Sequence, residues 1–95
     1  EEIGENGSRV VVTPAGRAAT KIECSRRGIA SLAGIEYFPL LEELNCCMNM
    51  ISTLDLTQNP RLVKLDCSGN CLKSLDVSHN SVLMELRCML NELVA

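Results

Sequence analysis

Residues 41–61 read LEELNCCMNMISTLDLTQNPR, and residues 62–82 read LVKLDCSGNCLKSLDVSHNSV. Set one under the other, they align without a gap at a period of 21 residues, and LMELRCMLNELVA (83–95) begins a third unit. Leu41, Leu62 and Leu83 coincide, as do Leu44, Leu65 and Leu86. The same register superposes Cys46, Cys67 and Cys88, and then Asn49, Asn70 and Asn91. Upstream, ATKIECSRRGIASLAGIEYFPL (19–40) fits one residue longer, with Ile22, Cys24, Ile29 and Leu32 in the apolar slots and Arg27 in place of the Asn. Each unit also contains itself twice: LxxLxCxxN (41–49) precedes IxxLDLxxN (51–59), and LxxLDCxxN (62–70) precedes LxxLDVxxN (72–80).

A similar apolar face thus returns every 10–11 residues. That is too short for a helix in each half-unit. It predicts two short extended segments per coil, joined by tight turns that carry Asn, which tolerates left-handed backbone and bonds nearby backbone groups. One such unit cannot bury its own leucines. Stacked units bury them as continuous ladders, each touching only its neighbours. The extended segments then pair as parallel strands roughly 4.7–4.9 Å apart. A column of Asn amides is suited to satisfying the buried carbonyls of the turns.

The pattern LxxLxCxxNxLxxLDLxxNxx resembles leucine-rich repeat proteins. In its short Cys-containing form it is similar to repeats of surface and secreted proteins of Bacteroidetes-type bacteria, and GIASLAGIEYFPLLEEL (28–44) is similar to the first repeat of that group. The resemblance spans residues 19–95. It implies a right-handed β-superhelix of about four coils with short parallel strands and little helix. It also implies a recognition role without catalysis, a protein partner, and a secreted or bacterial cell-surface location. The units are 19–40, 41–61, 62–82 and a partial 83–95, preceded by a capping segment over 1–18. In that segment Val10–Val12 are β-prone, and Thr13-Pro14 reads as a helix N-cap followed by Pro. Related proteins often carry a calcium-binding loop there. Here the acids are missing, and Gly16 stands where the closing Glu would fall, so no calcium site is expected.

Composition narrows the function. Tyr37 and Phe38 are the only aromatic residues and the net charge is −3. Stacking on bases has little to work with, and no basic stripe tracks a phosphate backbone. No apolar run reaches the ~18 residues of a transmembrane helix. There is no phosphate-binding loop and no nucleophile elbow. His79 is the sole histidine, at a turn slot that holds Gln58 one coil earlier, which reads as a solvated surface position. No catalytic residue and no cofactor are expected.

Six cysteines would ordinarily suggest disulfides in a small exported domain. The register argues otherwise. Cys24, Cys46, Cys67 and Cys88 occupy an apolar slot that holds Leu or Val in the alternate half-units, where free Cys behaves as a small hydrophobe. Stacking brings them close, but their side chains point the same way, a poor fit to the disulfide torsion. A reduced thiol ladder is expected. Cys47 and Cys71 lie off the ladder. With no CxxC pair among these positions, and His79 on the other half-unit, no zinc site assembles.

The outward files of the LxxLxC strands carry the candidate binding residues. The first file is Lys21, Glu43, Lys64 and Glu85, with alternating sign. The second is Glu23, Asn45, Asp66 and Arg87, and the third Ser25, Cys47, Ser68 and Met89. This face either recognises a protein through charge and hydrogen bonding or is a self-neutralising solvated sheet. The other half-unit offers Thr53/Ser74, Asp55/Asp76 and Thr57/Ser78; the stacked aspartates expect relief from backbone donors. At the C-terminal edge, Leu86 and Leu93 suggest a self-association surface. The alternative function is therefore a structural spacer or fragment that forms a homodimer through this edge. A third is a thiol-reactive or metal-sensing protein using Cys47 and Cys71.

Overall fold

The computed structural model describes residues 18–92. Its core is one parallel sheet of four three-residue strands, β1 (Lys21–Glu23), β2 (Glu43–Asn45), β3 (Lys64–Asp66) and β4 (Glu85–Arg87), in sequential order. Lys21 pairs with Glu43, Glu43 with Lys64, and Lys64 with Glu85, so the strand register is the sequence register. Residues 1–17 of the capping segment 1–18, and Leu93, lie outside the described residues.

Alternation along each strand sends one residue inward and its neighbours outward. Ile22, Leu44, Leu65 and Leu86 are the inward residues, and Leu44 and Leu65 are buried. Behind them lie Leu41, Leu62, Ile51, Leu72, Leu56 and Phe38, all essentially without solvent contact. β4 differs, with all three of its residues exposed.

The two half-units do not form the same structure. The expectation of two extended, strand-pairing segments per coil is corrected: among the described residues, the LDL and LDV segments form no strand. Much of their backbone hydrogen bonding is local. Asn59 N–H donates to the Leu56 carbonyl and Leu62 N–H to that of Asn59, and the next coil repeats this with Asn80 to Val77 and Leu83 to Asn80. In the first coil a 3-10 turn (Ile35–Tyr37) replaces that segment, opened by Gly34 at φ 108°, a region that favours glycine.

Asparagine joins the coils. Asn70 Nδ2 donates to the Cys46 and Cys67 carbonyls, and its Oδ1 accepts from Ile51 N–H at 3.0 Å. Asn49 acts in the same way one coil earlier: it donates to Cys24 and Cys46 and accepts from the N–H groups of Arg27 and Ile29. Asn91 repeats the arrangement between Cys67, Cys88 and Leu72. A second ladder runs on the opposite side, where Asn59 donates to Ile35 and Phe38 and Asn80 to Leu56 and Asn59.

Asn70 is buried and holds carbonyls of two coils, so truncating it orphans groups that water cannot reach. Each orphaned buried group costs about 1–3 kcal/mol. Asn70→Ala is expected to lower unfolding free energy by about 3 kcal/mol or more in urea titration. His79→Ala, on an exposed turn, is expected to leave it within about 0.5 kcal/mol.

Candidate functional site

The first two outward files line one groove of about 400 Å³ along the strand face. All eight candidate side chains line it: Lys21, Glu23, Glu43, Asn45, Lys64, Asp66, Glu85 and Arg87. Strand alternation puts them there, because each flanks an inward aliphatic residue. Parallel register then stacks them in files.

Charges within the groove are mostly uncommitted. Lys21 Nζ lies 3.8 Å from Glu43 Oε1, the one ion pair among the described residues. Lys64 faces Glu85 and Asp66 faces Arg87 across β3 and β4, yet neither couple closes to ion-pair distance. The resulting patch is a checkerboard of two positive and two negative groups. Asn45 and Asp66 also brace the ends of their strands, their Oδ1 atoms accepting from Cys47 and Ser68 N–H.

On the other half-unit the stacked aspartates are relieved as expected. Asp55 Oδ1 accepts from Thr57 N–H and Oγ1, and Asp76 Oδ1 from Ser78 N–H. The backbone and hydroxyl of Thr57 hold the Asp55 carboxyl below its ordinary range, and the hydroxyl and backbone of Ser78 do the same for Asp76. A second groove of about 390 Å³ lies beside Asp55, between Ser31–Glu36 and Thr53–Gln58. His79 is exposed, with Nδ1 3.3 Å from Ser78 Oγ.

All six cysteines are free thiols. Cys24, Cys46 and Cys67 are buried in a file, Cys88 is half-buried, Cys47 is half-buried and Cys71 is exposed. Burial pushes the Cys24 thiol up to about 11 and the Cys67 thiol up to about 12, and raises Cys46 as well. These thiols are packing groups, held away from the reactive thiolate form. Among the described residues no three His, Cys, Asp or Glu side chains are grouped to hold a metal ion. No helix there is long and apolar enough to cross a membrane.

Sequence reasoning missed a file of left-handed turn residues. Arg26, Met48, Gly69 and Leu90 follow the third strand-face position of successive coils, with φ of 59°, 57°, 69° and 57°. Gly69 was the available signal, because glycine marks a slot whose conformation the other three must also adopt. At the last coil, Leu86 is 41% exposed, with Met84, Met89 and Leu90 more so.

A single parallel sheet, a 21-residue coil, asparagine-bonded turns and a file of thiols together define the class. The chain is a leucine-rich repeat protein of the short-coil, cysteine-ladder type. It is similar to the solved functional domain of InlJ from Listeria monocytogenes, which includes a cysteine ladder. The two share 39% identity with a TM-score of 0.79 over 80% of this chain. The chain spans 17% of the length of that InlJ chain. No protein-family profile matches the chain, and no curated protein sequence does.

The raised ladder thiols set a pH dependence. Folded Cys24 and Cys67 keep protons that the unfolded chain releases above about pH 8.5. Their stabilising effect is complete below that pH and is lost as pH rises toward 11–12. Under reducing conditions the melting temperature is expected to fall across this interval, and Cys67→Val is expected to flatten the fall.

Proposed function

We propose that the chain is a non-catalytic recognition module that binds a protein through its strand-face groove. The observation that carries this reading is the set of outward charges gathered in one groove with a single ion pair among them. Lys64, Asp66, Glu85 and Arg87 present both signs, so the matching partner surface carries both signs too. Such a surface is selective because a like-charge placement costs affinity. The repeat architecture supports the same reading, since coils present their strand files as an extended binding surface. A secreted or bacterial-surface setting goes with this function, supported by the resemblance of the repeats to those of surface and secreted proteins.

A second reading has its own observation. No strand pairs with the far side of β4 among the described residues, and Leu86 is 41% exposed there. Placed antiparallel against a second copy and centred on Leu86, the strand Glu85-Leu86-Arg87 sets each Glu85 opposite an Arg87. Homodimerisation through this edge is thus favoured by charge as well as by apolar area.

The readings respond to different substitutions. With a partner in hand, reversing Glu43, Lys64 and Arg87 together is expected to weaken binding about tenfold or more. Added salt is expected to weaken the unmodified complex as well. Unchanged binding after the reversals removes the strand-face reading. Self-association, read by light scattering across a dilution series, is expected to be lost in Leu86→Asp and retained in the triple reversal; a monomer at every concentration removes the edge reading.

A further inference from the structure

The two outward ends of every strand carry unlike groups. β1 reads Lys-Ile-Glu, β3 Lys-Leu-Asp and β4 Glu-Leu-Arg, each with one positive and one negative side chain around a central residue. β2 reads Glu-Leu-Asn, a carboxylate and an amide. The signs alternate across the sheet as well, since the register sets Lys64 beside Glu85 and Asp66 beside Arg87. None of these outward side chains is buried. Even the paired Lys21 keeps 72% of its side chain exposed. Asn45 Oδ1 is held by Cys47 N–H, which leaves its amide N–H groups as donors for a carboxylate.

We propose that the strand face binds a second copy of this chain, packed face to face about a two-fold axis. This inference rests on the strand-face reading and names its partner. The axis runs across the strands, over the central residues Leu44 and Leu65. Rotation about it lays each strand antiparallel over its own copy and exchanges the two ends. Lys64 then meets the partner's Asp66, and Asp66 meets the partner's Lys64. Lys21 and Glu23 do the same over β1, and Glu85 and Arg87 over β4. Glu43 meets the amide of the partner's Asn45. The ends of a strand lie roughly 6.6 Å apart in both copies, so the two contacts of a rung close together. The symmetry makes every favourable contact twice. It also rejects a slipped register. A shift by one rung brings Lys64 onto the partner's Arg87 and Asp66 onto the partner's Glu85, and like charges oppose it. Four strands of three residues make a small face, so the dimer is weak and reversible.

The test is light scattering of the full chain from micromolar to millimolar concentration, at low and high salt. A monomer–dimer equilibrium that salt shifts toward monomer is expected. Lys64→Glu sets like charges together twice in the dimer and is expected to raise its dissociation constant about tenfold or more. Adding Asp66→Lys to that chain restores opposite signs and is expected to return association to the unmodified level. Mixed with the unmodified chain, the double variant is expected to pair with itself in preference. Urea midpoints confirm that folded chains are compared. A monomer at every concentration overturns the proposal, and so does a Lys64→Glu defect that Asp66→Lys does not rescue. A dimer that survives reversal of Glu43, Lys64 and Arg87 belongs to the β4 edge and overturns it equally. None of these results removes the strand-face reading, which falls only when a different protein partner stays bound after that triple reversal.

Discussion

Every coil of this protein must turn its chain inside the protein, and the turns leave carbonyl groups with no strand opposite them. The asparagine amide answers that constraint. Two N–H bonds and one acceptor let Asn49 and Asn70 reach the carbonyls of two successive Cys positions while holding an N–H of the preceding coil. Removing a buried polar group from water without a partner costs more than any single aliphatic contact in the coil returns. Leucine ladders supply the bulk of the driving force, but they are non-directional. Asparagine fixes which residue lies above which, and the strand register, the thiol file and the outward charge files inherit that alignment.

The halves of each coil divide the work. On the strand side, backbone groups of one coil bond those of the next, in evenly repeated steps. On the opposite side they bond mostly locally; Asn59 and Asn80 reach across, as do the Cys71 and Glu92 N–H groups to the Ile51 and Leu72 carbonyls at its start. Their Oδ1 atoms lie buried without a partner, in contrast to the fully used amides of Asn49 and Asn70. The strand side is thus the better satisfied of the two, and it is also the side that presents the groove.

Much of this was legible in the sequence because it is periodic. The 21-residue register places Lys21, Glu43, Lys64 and Glu85 in one file, and the strand pairing follows that file residue by residue. The thiol ladder and the Asn columns were legible for the same reason. Periodicity misled at residues 51–59 and 72–80, where a repeated apolar pattern looks alike whether the backbone bonds to a neighbouring coil or to its own turn. It was silent on Met48 and Leu90, whose left-handed backbone is imposed by position in the coil and opposed by their own side chains. Nor does a sequence reveal that opposite charges in register, such as Lys64 and Glu85, stay unpaired. That outcome depends on rotamers and solvation.

Alternation along the strands has a consequence for how such a protein changes over time. Leu44 and Leu65 hold the coil together, while Glu43, Asn45, Lys64 and Asp66 beside them touch solvent. Folding and recognition are written in alternate letters of the same three-residue word. A mutation in an outward letter alters what the surface can grip at little expense to the scaffold. A coil copied in tandem brings a fresh set of outward letters with its inward ones already correct. The architecture is therefore a template for diversification, in which new specificities can be tried without first rediscovering how to fold.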